Sequence, residues 1–196
     1  MKTATLIDLD RTIFNTTKFW DEVFGAVEQI YGVEKRVECK SICDQIYSES
    51  GIAPIGLVCD RANVDITKIL DRLTGDYLYD DARGFMDSCR HPIILSMGDE
   101  FTQKVKMYFA RVDLPTIIVE KHDKARWVGK NCLRDGGYEI LGQRFDAIEL
   151  YDDKIPNFVG FEKLPNARGF LIRRGAVGDI SGLPDNVVII HDLCNT

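Results

Sequence analysis

LIDLDRTIF, residues 6 to 14, decides how the rest of the chain is read. The apolar run TATLI leads into Asp8, Leu9 intervenes, and Asp10 follows. Residues 3 to 8 read as a short buried strand, so both carboxylates fall at its carboxyl end. Two acids this close are costly to desolvate without a cation or a proton. Their presence therefore asks what they hold or what they do.

Working outward, the spacing of Phe19, Val23, Ala26, Val27 and Ile30 predicts a helix ending at Tyr31. A second helix is expected from Glu34 to Tyr47, and Gly51, Pro54 and Gly56 break it. Asp65 is placed to cap a third, with Ile66, Ile69, Leu70 and Leu73 as its stripe. A short helix from Asp81 to Ser88 completes a block that contains no expected strand. The pattern then changes. Strands are expected at Pro92–Leu95 ending in Ser96, at Thr116–Glu120, at Ala147–Tyr151 ending in Asp152 and Asp153, and within RGFLIRRG and NVVIIHD. Helices are expected over Phe101–Ala110 and from Lys124. The stretch from Asn131 to Phe145 is ambiguous, with a turn at Asp135-Gly136-Gly137. Apolar runs alternating with helices predict an α/β chain with a Rossmann-like, doubly wound, mostly parallel sheet.

The 196 residues allow one domain, or one with a second inserted, and 45% hydrophobic content is enough for a core. No run approaches the ~20 apolar residues that cross a bilayer. Acids interrupt the N-terminal apolar run too early for a secretory signal, so a cytoplasmic protein is expected, with no membrane partner. The six cysteines form no CxxC pair, which argues for reduced, mostly packed thiols and against a zinc site. The net charge is -6 with scattered basic residues, so no nucleic-acid partner is expected.

The polar residues that end the apolar runs are the informative ones. Ligands of an open parallel sheet bind beyond the carboxyl ends of its strands. Asp8, Ser96, Asp152 and Asp153 could therefore converge although far apart in sequence. Clustered carboxylates suit Mg²⁺, which prefers hard oxygens and keeps waters that a phosphate can replace. One carboxylate can act as nucleophile, and another, two residues on, as general acid and then base. A serine hydroxyl, amides near Gly98 and a lysine can hold phosphoryl oxygens as charge develops.

At these residues the chain resembles the haloacid dehalogenase (HAD) superfamily. DLDRT, with Asp8, Asp10 and Thr12, is similar to the DxDxT signature. ILSMG, with Ser96 and Gly98, is similar to the second motif. Lys124 or Lys121 would supply the third, and YDDKIPN, with Asp152, Asp153 and Asn157, the fourth. The motifs occur in the family's order. The resemblance implies a core of residues 1–14 and 89–196 and a helical cap of the C1 type over 15–88. It implies Asp8 as nucleophile and Asp10 as acid and base. Thr12, Ser96, Gly98 and Lys124 would bind phosphate. The Asp8 carboxylate, the Asp10 carbonyl and Asp152 would bind Mg²⁺, with Asp153 and Asn157 supporting them. Arg11 departs from the family, which commonly has glycine there because of the turn geometry.

The expected activity is that of a Mg²⁺-dependent phosphohydrolase acting on a small phosphorylated metabolite, in a monomer or homodimer. A phosphomutase, or an inactive HAD-like binding module, is the alternative. A haloacid dehalogenase uses no metal and lacks the second acid of the first motif, so Asp10 and Asp152 argue against it. A response-regulator receiver carries its phospho-accepting Asp on the third strand, which ends here at Glu120-Lys121. Arg173 and Arg174 read as an exposed strand end, and Trp20, Phe24 and Tyr31 as cap core. His91, His122 and His191 form no motif.

Overall fold

The computed structural model describes residues 1–120, 123–175 and 181–194. The chain divides into two compact units. The first comprises Met1–Phe14, Leu78–Met97 and residues from Leu114 onward; the second comprises Asn15–Tyr77 and Gly98–Asp113. These limits differ from the expected ones at two places. Leu78–Ser88 groups with the sheet, and the helix after Gly98 groups with the helical block.

The first unit is built on strands β1 (Thr3–Ile7), β2 (Pro92–Met97) and β3 (Thr116–Val119). A small group follows: β4 (Leu133–Arg134), β5 (Gly137–Ile140) and β6 (Gln143–Phe145). The main sheet continues with β7 (Ala147–Asp152), β8 (Ala167–Ile172) and β9 (Val187–Ile190). Its order is β3-β2-β1-β7-β8-β9, and every neighbouring pair runs parallel. The expected α/β class and parallel sheet are therefore present. The chain winds outward from β1 in one direction through β2 and β3, and in the other through β7, β8 and β9. The order reverses between β1 and β7, where a ligand crevice opens in doubly wound sheets.

The strands form because their apolar runs are covered. Ala4, Leu6, Leu95, Ile148, Leu150 and Leu171 are buried in one cluster with Phe158, Phe161 and Val128. Each such side chain contributes roughly 1.5–3 kcal/mol through burial. Tyr151 stacks on Phe170 with centroids 4.3 Å apart, and Phe85 meets Tyr151 edge-on at 4.7 Å. Gly169 is a close-packing point: a Cβ there would lie 2.8 Å from both Phe158 and Val187. The ambiguous stretch is the small antiparallel sheet, β4-β5-β6, with Tyr138 opposite Phe145.

The second unit is helical. In it α1 (Thr16–Tyr31) is capped by Asn15, whose side chain accepts from the Lys18 amide at 3.0 Å. It ends at Gly32, with φ 91°, and buries Phe19, Val23, Phe24, Ala26 and Val27. Helix α2 (Val33–Ser50) stops at Gly51, which is left-handed. Pro54 then starts α3 (Ile55–Arg61), a helix absent from the sequence reading. Asp65 caps α4 (Ile66–Leu70) as expected, accepting from the Thr67 amide. The expected helix near Asp81 is α5 (Ala82–Ser88), in the sheet unit. Helix α6 (Glu100–Ala110) is capped by Asp99, and its Thr102 hydroxyl accepts from the Ile55 amide at 2.9 Å. That bond ties α6 to α3, and both lie in the helical unit. The last helix, α7 (Lys124–Asn131), belongs to the sheet unit.

All six cysteines are free thiols; burial pushes Cys43 and Cys59 up to about 12, which keeps them neutral. Among the described residues no helix is long and apolar enough to cross a membrane.

Candidate active site

Register places the acids. Ile7 pairs with Tyr151, and the Asp8 amide donates to the Tyr151 carbonyl at 2.9 Å. Asp8 and Asp152 thus leave adjacent strands at the same end, at the point where the strand order reverses. Ser96 stands near the end of β2, on the other side of β1. The convergence expected of Asp8, Ser96 and Asp152 is what the sheet produces.

Lys124, the first residue of α7, joins the two acids. Its Nζ donates to Asp152 Oδ2 at 2.6 Å and also to Asp8 Oδ1. Lys124 and Asp152 have no exposed surface, and Asp8 is 6% exposed. The competing lysine, Lys121, lies outside the described residues, as does His122. Burial works against the Lys124 charge, but Asp152 and Asp8 outweigh it and hold its pKa above the ordinary value. Burial pushes the Asp8 carboxyl well above the usual range. Lys124 opposes this, while Asp152, Asp153 and Asp10 add to it. Asp153 is pushed up to about 6, by burial first and by Asp152 second.

Asp152 is fully engaged. Oδ2 accepts from Lys124 and from Asn157 Nδ2, the latter at 2.8 Å. Oδ1 accepts from Asn157 Nδ2 and from the Lys154 amide, both at 2.8 Å. Asn157, on a 3-10 turn spanning Ile155–Phe158, is thus a support for Asp152. Asp8 differs, because its Oδ2 takes no hydrogen bond among the described residues.

The turn after Asp8 is tight. Ile13 and Phe14 amides both donate to the Leu9 carbonyl, and the Arg11 amide donates to the Phe14 carbonyl. Arg11 has φ 60°, the left-handed conformation that glycine adopts at little cost. The geometry that favours glycine is therefore retained although the residue is arginine. Asp10 is half-buried in this turn. The hydroxyls of Thr12 and Ser96 are buried with no partner among the described residues. An unpaired buried hydroxyl costs about 1–3 kcal/mol, so both await an acceptor. Gly98 falls in the helical unit, with φ 153°.

Four acids gather here with the buried ammonium of Lys124, and Lys154 and Arg11 also act on Asp153. The remaining negative charge fits a divalent cation bound through hard oxygens. Asp8, through Oδ2, and Asp152 are the side chains that could hold it. Among the described residues no three His, Cys, Asp or Glu side chains form a ready-made cage, and Asp152 would have to release one donor.

Sequence reasoning missed Arg174. It is not an exposed strand end: its side chain is 18% exposed and forms a bidentate pair with Asp81 at 2.8 and 2.9 Å. The acid pair Asp80-Asp81 is the one sequence signal that a cation had to be near.

No family model matches the sequence, and no curated protein matches it. Solved structures do. A haloacid dehalogenase-like hydrolase from Burkholderia xenovorans matches 98% of this chain and 93% of its own, with TM-score 0.73 and 16% identity. The magnesium-bound HAD-hydrolase YfnB from Bacillus subtilis matches 98% and 96%, with TM-score 0.62 and 12% identity. A HAD phosphatase from Thermococcus onnurineus matches 98% and 94%, with TM-score 0.58 and 17% identity. L-2-haloacid dehalogenases match as well. The chain has the HAD-like hydrolase fold.

Proposed function

We propose that the protein is a Mg²⁺-dependent phosphohydrolase that acts on a small phosphorylated metabolite through an aspartyl-phosphate on Asp8. One observation carries this reading: Lys124 bridges Asp8 and Asp152 at the strand-order reversal and leaves Asp8 Oδ2 open. In the first step Oδ2 attacks phosphorus and the bond to the leaving oxygen breaks. Asp10 gives its proton to that oxygen. Asp10 then takes a proton from water, which attacks the phosphorus of the aspartyl-phosphate and frees phosphate and Asp8. Lys124 and the unpaired Thr12 and Ser96 hydroxyls hold the phosphoryl oxygens. Asn157 and the Lys154 amide keep Asp152 aimed at Lys124.

Bound Mg²⁺ supplies charge that offsets the repulsion between an anionic nucleophile and an anionic substrate. The magnesium-bound hydrolase and the phosphatase among the structural matches support this reading.

A second reading is favoured by the fully engaged Asp152. An Asp152 already satisfied by Lys124, Asn157 and an amide suits a metal-free dehalogenase, in which Asp8 displaces halide from carbon. Asp10 has no part in that chemistry, and so the phosphohydrolase stands first. A panel of phosphorylated metabolites with Mg²⁺ and with EDTA, beside a panel of 2-haloacids, separates the two. Phosphate release that EDTA abolishes is expected. Halide release without metal would replace the first reading by the second.

A further inference from the structure

Arg174 lies two residues beyond the end of β8, and its guanidinium spends all three nitrogens. Nη1 and Nη2 donate to the two oxygens of Asp81 at 2.9 and 2.8 Å. Nε and Nη2 donate to the carbonyl of Thr12 at 3.1 and 2.8 Å. Its Cζ also lies over the Tyr79 ring, 3.9 Å from the centroid. Asp81 accepts in addition from the Leu193 amide at 2.8 Å, so the segment after β9 is joined to the same point.

The Thr12 carbonyl is a particular target. In the turn from Leu9 to Phe14, the carbonyls of Leu9, Ile13 and Phe14 accept from backbone amides, that of Ile13 from Tyr79 at 3.0 Å. The Thr12 carbonyl instead accepts from a side chain 162 residues away. It follows directly on Arg11, whose left-handed backbone is strained for a residue with a Cβ. Strained backbone persists where its surroundings over-determine it. A planar, permanently charged fork held by a carboxylate and set over a ring is such a surrounding, and lysine cannot reproduce it.

We infer that Arg174 is a positioning residue: with Asp81 and Tyr79 it clamps the Thr12 carbonyl and fixes the turn that carries Asp10. The catalytic part of this inference rests on the phosphohydrolase reading; the clamp itself does not. Arg174 touches no reacting atom. It acts by holding Asp10 where a proton can pass to the leaving oxygen, and displacements of about 1 Å in such groups cost on the order of 10²-fold in rate.

The test uses the full chain as wild type, Arg174→Ala, Arg174→Lys and Asp81→Asn. Hydrogen exchange is read at the amides of Arg11, Ile13 and Phe14, with those of β1, β7 and β8 as controls. Exchange in the turn at least about tenfold faster in Arg174→Ala, with unchanged strands, is expected. With para-nitrophenyl phosphate and Mg²⁺, kcat should fall about 10²-fold with KM within about twofold. Added guanidinium ion should restore part of kcat in Arg174→Ala, and Arg174→Lys should not. Unchanged exchange in the turn, or exchange raised equally throughout the sheet, would overturn the clamp. A loosened turn with wild-type kcat would overturn its role in positioning. If wild type hydrolyses no phosphate monoester, the phosphohydrolase reading and the catalytic role resting on it fail, while the exchange data still decide the clamp.

Discussion

Lys124 Nζ and Asp152 Oδ2 lie 2.6 Å apart with neither side chain exposed to solvent. A buried ion pair recovers its desolvation cost only when its remaining valences are used. Here they are: Asp8 takes a second Lys124 proton, and Asn157 and the Lys154 amide take the other Asp152 lone pairs. Removing the ammonium alone leaves two carboxylates facing each other. Lys124→Met, which keeps the length of the side chain, should therefore destabilise the protein by about 3–5 kcal/mol. Chemical denaturation at neutral pH measures this. A loss below about 1 kcal/mol would mean the pair is not uncompensated without Lys124.

The two acids of the turn should separate in kinetics. In the proposed reaction Asp8 is the nucleophile, so in Asp8→Asn turnover of a phosphate monoester should vanish even where substrate still binds. Asp10 is the proposed acid and base, so Asp10→Asn should slow turnover by roughly 10²–10⁴-fold. Rapid quench with labelled substrate should place the label on Asp8. Label on another residue, or full activity in Asp8→Asn, would end the assignment.

The negative surplus at the site predicts a cation effect that does not depend on turnover. Mg²⁺ should raise the unfolding midpoint of the wild type with increasing concentration, as any ligand of the native state does. In Asp152→Asn the metal should bind at least about tenfold more weakly, read by calorimetric titration. Equal Mg²⁺ affinity in both proteins would remove Asp152 from the cation's ligands.

Much of this was legible because each key residue ends an apolar run. Asp8 after TATLI, Ser96 after PIIL and Asp152 after AIELY are anomalies that a strand reading exposes, and a parallel sheet gathers them at one end. Lys124 was legible as the opening residue of a helix. Arg174 was not. Its partners, Asp81 and the Thr12 carbonyl, are 93 and 162 residues away, and one of them is backbone, which no side-chain pattern reveals. The small sheet was hidden because its strands run only two to four residues, too short for alternation to register. Helix α3 was hidden because Pro54 and Gly56 read as breakers, although proline is favoured at a helix start.

Arg11 offers a test of the turn itself. At φ 60° a residue with a Cβ costs roughly 1–2 kcal/mol more than glycine would. Glycine gives back roughly 0.5–1 kcal/mol through the freedom of its unfolded chain. Arg11→Gly should thus stabilise the protein by about 0.5 kcal/mol, while Arg11→Val, stiff at its Cβ, should destabilise it. Thermal unfolding of the three proteins checks the order. Valine at least as stable as glycine would show that the turn is not left-handed in solution.

Asp81 gives the stability a pH signature. Burial works against its charge, but Arg174 and the Leu193 amide outweigh it, so the carboxyl pKa lies below its ordinary value of 3.8. Above that value the carboxylate is charged in both folded and unfolded states, and the clamp contributes fully. As pH falls, the unfolded chain takes up the proton first, and the contribution fades as pH descends through the lower folded value. In Asp81→Asn the group cannot ionise, and at pH 7 that protein should be less stable by about 2 kcal/mol, the range for hydrogen bonds to a charged group. The difference between the two proteins should shrink between pH 4 and pH 3, where other acids titrate alike in both and cancel. Urea midpoints at pH 7, 4 and 3 measure it. A gap that stays constant down to pH 3 would show that the Asp81 charge adds nothing to the hold on Arg174.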